Sequence, residues 1–460
     1  MDNTPLLLPS TNGNMYRVYK KRWFMLAVLT LLNFSNGMLW ITFAPIDDSS
    51  STYYGVSSFT INWLSLVFPL AALPFAMVSA WFIDTYGLRK GIILAAWLNG
   101  LGSVIRVCST IHHMTNTERF AVVLVGQSLA AIAQTLLLPL PPKLAALWFG
   151  ESQRVLANMI CSTSNTVGIL VANILAPCIV KSYKDIPILL SIFTGPGALA
   201  MVLATAGVTT SRPPTPPAPS AAQDSETFFK GLKQALKSKP FLVLMVCFGT
   251  GIGMFSALTT LLEQIICVHN YSDKAAGNMS ALAIAFGFIG AGLVSVYVDK
   301  TKKFEIAAKI CYAMATLFVL FFALISKYEN KPILLGFSVS GFGFFALALL
   351  PVGLELGVEC TYPVAEATSA ALLWLFGQIT MILIILVAGA LGTKNKGKQM
   401  SCKSGNDDMT HATYFMAVLT VVIALVFIVL FRPKYLRMEA ERRERFIESA
   451  DHKFDDNDDN

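Results

Sequence analysis

The sequence predicts an all-α membrane protein, with twelve transmembrane helices arranged as two six-helix bundles. Three observations predict it. Twelve apolar stretches recur along the 460 residues, each about the ~20 residues a helix needs to cross a ~30 Å hydrocarbon core. Charged residues make up 14% of the chain and hydrophobic ones 55%, against roughly 25% charged in a soluble domain. A Pro-rich gap after the sixth stretch divides the twelve into two sets of six. In lipid the backbone must satisfy its own N–H and C=O groups, so each stretch has to be a helix.

The elements follow in order. A tail, 1–22, ends on Tyr19-Lys-Lys-Arg22 and runs straight into a full-length span, so no cleavable signal peptide is expected. The N-terminal bundle, 23–208, carries spans at 23–45, 61–83, 91–108, 120–140, 155–179 and 187–208. The segment 209–240 holds Pro213, Pro214, Pro216, Pro217 and Pro219, which forbid a helix and predict an extended linker. Beyond them Phe229, Leu232 and Leu236 recur at i, i+3 and i+7 among Lys230, Lys233, Lys237 and Lys239. That spacing predicts a short amphipathic helix on the inner leaflet. The C-terminal bundle, 241–431, carries spans at 241–262, 276–298, 307–326, 332–354, 368–392 and 412–431. A tail, 432–460, is expected to be solvated from Arg442-Arg443 through Asp455–Asp459.

The net charge of +7 is unevenly spread: with a cytoplasmic N-terminus, 24 of the 35 Lys and Arg residues fall on that side. This is the bias that orients helices during insertion, and it predicts both termini in the cytoplasm. It explains the basic excess without nucleic acid, which is not expected as a partner. Eight cysteines occur without a CxxC pair, so neither a zinc site nor a redox motif is indicated, and no metal or cofactor is expected. Cys267 and Cys402 fall in outer loops, where an oxidising compartment permits a bridge. No ATP-binding loop and no nucleophile–base arrangement stands out, which predicts a gradient-driven carrier rather than an enzyme. A monomer is expected.

The halves share a local feature. Asp84-Thr-Tyr-Gly87-Leu-Arg89-Lys90 joins spans two and three, and Asp299-Lys300-Thr-Lys302-Lys303 joins spans eight and nine. A carboxylate at an inner helix end, followed by basic residues, can bridge to neighbouring helix ends and hold one face of a transporter closed. Read blandly, the aspartates only end helices; equivalent positions in both halves favour a paired gate. Glu355, Glu359 and Glu366 cluster between spans ten and eleven with no Lys or Arg among them. They are assigned to the same inner gate, with opposing charges expected from Arg89 and Lys90 or from Lys300 to Lys303.

These residues carry a resemblance. Asp84-x-x-Gly87-x-x-Lys90 is similar to the loop signature of the major facilitator superfamily, with Thr85 and Leu88 where basic residues usually stand. That variant resembles the feline leukaemia virus subgroup C receptor family, solute carrier family 49. Tyr19-Lys-Lys-Arg-Trp23, Asn36-x-x-x-Trp40, Ile61-Asn62-Trp63-Leu64-Ser65, Lys143-Leu-Ala-Ala-Leu-Trp148-Phe149 and Glu355-x-x-x-Glu359-x-x-Tyr362-Pro363-x-x-Glu366 agree with it. The resemblance covers about residues 16–435. It implies the major facilitator fold, alternating access around a central cavity, and a small organic solute. Relatives are associated with choline and ethanolamine, with haem, and with a vitamin B6 form.

Polar groups in hydrocarbon are costly and face a bundle interior or a wet cavity. Asn33, Asn36 and Trp40 share a face of span one, Gln127 and Gln134 of span four, Asn158, Ser162 and Asn165 of span five, and Trp374 and Gln378 of span eleven. They either contact a solute or bond helix to helix, at about 0.6 kcal/mol per contact. The resemblance singles out Trp40, Gln134 and Gln378, which match a tryptophan and two glutamines around the ligand in choline-carrying relatives. An aromatic face attracts a quaternary ammonium by up to ~2 kcal/mol when dry. Where those relatives have a tyrosine in span seven this chain has Ser256, so one aromatic wall is missing. Glu263 and Gln264, at the outer end of span seven, could receive a cationic amine or a proton, unless Glu263 merely reaches water or pairs with Arg106. Haem, the runner-up cargo, would require a larger cavity and an axial ligand, and no histidine lies within a span. A non-transporting receptor or sensor is the competing class.

Asn270-Tyr-Ser272 is a glycosylation sequon expected in an outer loop. Asp2-Asn-Thr-Pro-Leu6-Leu7 has the acidic dileucine spacing of an endolysosomal sorting signal, which leaves the plasma membrane and the endolysosomal membrane both open.

Overall fold

A computed structural model describes residues 6–7, 16–111, 114–222, 226–267, 269, 271, 273–394 and 407–443. The first bundle begins with α1 (Lys21–Ile41) and a short helix α2 (Asp47–Tyr54), which Gly55 ends at φ 65°. Next comes α3 (Ser58–Cys108), 51 residues long, with the Ser57 hydroxyl capping its start at 3.2 Å from the Thr60 N–H. Gly87 breaks α3 at φ 87° and ψ 169°, a conformation closed to most side chains. Ile61, Leu64 and Phe68 near one end of α3 pack in the same cluster as Val107 near the other. Ile83 and Ile92 meet in a different cluster. The chain therefore reverses at Gly87, and one element supplies both the second and the third crossing. Eleven long apolar helices among the described residues carry the twelve crossings.

The bundle is completed by α4 (Asn116–Leu137), α5 (Leu140–Trp148), α6 (Arg154–Ile179) and α7 (Ile186–Gly207). Thr115 and Glu118 form a capping box at the start of α4, and Pro139 separates α4 from α5. The linker contributes α8 (Pro219–Ala222) and α9 (Phe228–Ala235), on which Phe229 is exposed and Gly231 and Ala235 are buried. The second bundle comprises α10 (Lys239–Cys267), α11 (Asp273–Thr301), α12 (Phe304–Ile325), α13 (Pro332–Thr361), α14 (Glu366–Leu391) and α15 (Thr410–Leu430). A last helix, α16, spans 436–443. Two-residue ladders pair Leu6–Leu7 with Arg17–Val18 and Thr393–Lys394 with Asp407–Asp408.

Rows of apolar side chains, among them Val202, Leu293, Leu386 and Val418, face outward and exposed. Such a surface fits a bilayer rather than water. Inside the first bundle α1 and α6 touch backbone to backbone. A Cβ on Gly37 would lie 2.1 Å from the Asn165 carbonyl oxygen, and one on Gly168 would lie 2.1 Å from that of Phe34.

Arg17 and Tyr19 near the start of the chain, Glu441 near its end, and the linker gather on one side, called here the terminal face. The Arg17 N–H donates to Pro216 O at 3.2 Å, Tyr19 Oη lies 2.9 Å from Thr215 Oγ1, and Ser220 bonds Glu441. In that half of the molecule the bundles interpenetrate: Val155 of α6 joins an apolar cluster of the second bundle, and Ala367 of α14 joins one of the first. In the other half each cluster is built from one bundle alone. Arg442 and Arg443 are exposed, and the rest of the tail expected to be solvated lies outside the described residues; Arg437 and Glu441, just before it, are only 3% and 2% exposed.

Candidate functional site

Of the side chains expected around a solute, Gln134 and Gln378 are buried, and Trp40, Ser256 and Gln264 are half-buried. On α14 the exposed residues Ile379, Leu383, Leu386 and Val387 mark the lipid side. At 100° per residue Trp374 and Gln378 project opposite to it. Gln378 is 8% exposed, and its Oε1 and the Trp374 Nε1 are both enclosed without a hydrogen-bond partner. The two atoms, one acceptor and one donor, stand one turn apart. Gln134 occupies the inward side of α4 at 5% exposure. Trp40 is half-buried near the end of α1; its Nε1 donates to Ser65 O at 3.1 Å, and its ring stacks on Phe68 at 6.1 Å. Those two contacts fix the plane of the indole and occupy one of its faces. Ser256 and Gln264 are half-buried on α10. The side chains of Glu263 and Cys267 lie outside the described residues, as do Asn270 and Cys402.

Asn36 sits behind this wall, fully buried. It donates to Asn99 Oδ1 at 3.0 Å and to Ala130 O at 2.8 Å, and accepts from Asn165 Nδ2 at 3.5 Å. Asn99 continues to Ser35 Oγ at 3.1 Å, and Gln127 donates to Leu39 O at 2.9 Å. These amides tie α1, α3, α4 and α6 together. Arg106 is 1% exposed and lies over the Phe43 ring at 5.1 Å.

At the terminal face the paired aspartates work alike. Asp84, at the end of the first arm of α3, meets Lys143 of α5 at 2.5 Å. It also accepts from the first turn of α14, from Thr368 N at 3.1 Å and Thr368 Oγ1 at 2.5 Å. Asp299, at the end of α11, accepts from the first turn of α6, from Val155 N at 3.1 Å and Leu156 N at 2.8 Å, with Lys302 Nζ 3.9 Å away. Each carboxylate thus caps a helix of the other bundle, where free N–H groups and the positive end of the dipole favour an anion.

The glutamate cluster is neutralised from an unexpected direction. Arg437 of α16, rather than Arg89, Lys90 or Lys300, faces Glu355 and Glu359, at 2.7 Å to each, while the expected Lys302 also feels the Glu355 charge. The Met438 N–H adds a bond to Glu359 at 3.2 Å. Asn158 of α6 approaches Glu355 at 3.4 Å, and Arg154 of α6 holds Glu441 of α16 at 3.2 Å. Burial disfavours the Arg437 charge, but Glu359 and Glu355 outweigh it and hold the guanidinium protonated well above its ordinary range. Burial likewise opposes the Glu441 carboxylate, yet Arg154 and Arg437 prevail and keep its pKa at about 2.

The remaining residues assigned to the gate have other partners. Arg89 donates from its backbone to Ser211 Oγ at 3.1 Å and from Nε to Val208 O at 3.0 Å, which fixes the end of α7 and the start of the linker. Lys90 lies over the Tyr86 ring at 5.1 Å. Lys300 is exposed, whereas Lys302 reaches the Glu151 carbonyl and neighbours Asp299. Glu366 opens α14, half-buried. Sequence reasoning missed Lys143, Arg154, Arg437 and Glu441 as gate members. Lys143 and Arg154 were visible as the only basic residues between spans four and five. Arg437 and Glu441, four apart in a charged tail, gave no such signal.

The Major Facilitator Superfamily model matches residues 25–352. The chain is 44% identical to solute carrier family 49 member A3 of Danio rerio, over 93% of this chain and 90% of that protein. It is 30% identical to the choline/ethanolamine transporter FLVCR1 of Felis catus, over 90% of this chain and 75% of that protein. Its fold is similar to that of the E. coli fucose:proton symporter FucP, with a TM-score of 0.64 at 13% identity, covering 89% of this chain and 98% of that one.

Proposed function

The chain belongs to the Major Facilitator Superfamily and, within it, to solute carrier family 49; from that premise we propose that it carries a choline- or ethanolamine-like amine by alternating access. The observation that carries this reading is the burial of Gln134 and Gln378 and the half-burial of Trp40, two carboxamides and an indole, on helices of both bundles. The Trp40 ring, pinned by Ser65 and Phe68, offers its remaining face to a cationic head by cation–π attraction. The Gln378 carbonyl oxygen and the Trp374 N–H, both without a partner, suit a hydroxyl or ammonium that donates and accepts. Ser256 and Gln264 extend the wall, and Glu263 at the outer end of α10 supplies a charge for the amine or a coupling proton. Kinship with choline/ethanolamine transporters supports the same cargo class.

With both termini in the cytoplasm, the pinned terminal face is the inner gate, and this conformation holds it shut. Asp84, Gly87, Arg89 and Lys90, with Asp299, Lys300, Glu355, Glu359 and Glu366, line or border that gate. The protein would work as a monomer, bear its glycan at Asn270, and reside in the plasma membrane or, through Asp2, Leu6 and Leu7, in endolysosomes. Uptake of labelled choline and ethanolamine into cells carrying wild type or Trp40→Ala tests the cargo. Saturable uptake that collapses in the variant is expected. Uptake no higher than in untransfected cells, for both proteins at equal surface expression, would remove the amine from consideration.

A further inference from the structure

The C-terminal segment holds both bundles at once, and the two holds are unequal. Toward the second bundle it is fixed by several contacts. Arg437 meets Glu355 and Glu359 at 2.7 Å each, the Met438 N–H bonds Glu359, and Tyr435 Oη accepts from the Glu305 N–H at 3.1 Å. Toward the first bundle, among the described residues, it reaches through Glu441, which meets Arg154 at 3.2 Å, hydrogen-bonds with Glu151 and also bonds Ser220 of the linker. Arg437 and Glu441 are one helical turn apart on α16, so a single short helix presents a cation to one bundle and an anion to the other.

We infer that α16 is an inhibitory strap across the inner gate, anchored on the second bundle through Arg437 and released from the first by breaking Glu441 from Arg154. Rocking the bundles apart at this face must pull Arg154, at the start of α6, away from Glu355 and Glu359 on α13. The anchor side has four contacts and moves as one with α13; the single Glu441 arm is the one that parts. Its release strips Arg154 of the carboxylate held at 3.2 Å, so the strap biases the protein toward the inner-closed state. Ser220 ties the linker between the bundles into the same arm. The strap rests on the orientation proposed above and acts whichever solute is carried.

Hydrogen–deuterium exchange on the purified full chain reads the strap directly, because the Val155, Leu156 and Thr368 amides are themselves gate donors. In Glu441→Gln, exchange in peptides covering 154–157 and 366–369 should rise about tenfold, corresponding to ~1.4 kcal/mol. Helix α7 serves as the internal control and should not change. The charge exchange Arg154→Glu with Glu441→Arg restores the pair in reverse and should return exchange to near the wild-type rate. Unchanged exchange in Glu441→Gln would overturn the strap. So would a rise shared equally by α7, which is general loosening, or a folded charge-exchange variant that stays open.

Discussion

At the scale of the residue, Trp40 and Glu441 make opposite demands on their surroundings. Trp40 needs a ring face turned to the solute, and its contacts with Ser65 and Phe68 set the plane of that ring. Trp40→Ala should raise the KM for choline about tenfold to thirtyfold, the equivalent of a ~2 kcal/mol cation–π contact, whereas Trp40→Phe, which keeps a ring, should lose less than half that energy. The concentration dependence of uptake separates the two; equal KM values in both variants would dismiss the ring as a cation site. Glu441 needs its charge. Its folded pKa of about 2 lies below the ordinary 4.5, so it contributes stability above that ordinary value and loses it as pH falls toward the folded one. The difference in Tm between wild type and Glu441→Gln should therefore be flat from roughly pH 5 to pH 8 and shrink only below about 4.5. A difference that changed between neutral and mildly acidic pH would mean that another group sets the strength of this arm. The two cases also differ in how far the sequence reveals them. Trp40 stands out as an aromatic residue on a polar helix face, while Glu441 is one carboxylate in a tail rich in them, and only folding shows that Arg154 faces it.

At the scale of the element, the apolar runs are long enough to declare themselves, and the twelve crossings fall where hydropathy puts them. Two features escape that signal. Hydropathy alone does not distinguish two antiparallel helices from one element folded at Gly87, although the Asp84-x-x-Gly87 motif marks the place. Helix faces are the second. A span apolar on every side has no stripe to reveal its neighbour, so nothing singles out Gly37 and Gly168 among the 31 glycines as the contact between α1 and α6. That contact is backbone on backbone, and a methyl group there has nowhere to go. Gly168→Ala should cost about 1–3 kcal/mol through overpacking, read as a fall in the Tm of the purified protein. Gly37→Ala should cost a similar amount, and the double variant less than the sum, because the first methyl already parts the helices. Strict additivity would show that the two glycines serve separate contacts.

At the scale of the whole molecule, the sequence specifies two bundles and a pair of matching aspartates but not which face is shut, because one sequence must serve both states. The structure shows the terminal face shut by reciprocal caps: Asp84 of the first bundle on α14 of the second, and Asp299 of the second on α6 of the first. The caps differ in strength. Asp84 also neutralises buried Lys143, so Asp84→Asn leaves a charge unpaired at a cost of about 3–5 kcal/mol. Asp299→Asn chiefly removes a helix-end anion, worth up to ~2 kcal/mol. If the bundles move as bodies, the stronger lesion cannot stay local. In Asp84→Asn, hydrogen exchange should rise at 366–369, which Asp84 caps, and also at 154–157, which it never touches. Both rises should exceed those caused by Asp299→Asn. A rise confined to the start of α14 would mean that each cap guards only its own helix end, and a rocking pair of rigid bundles would then be the wrong description of how this face opens.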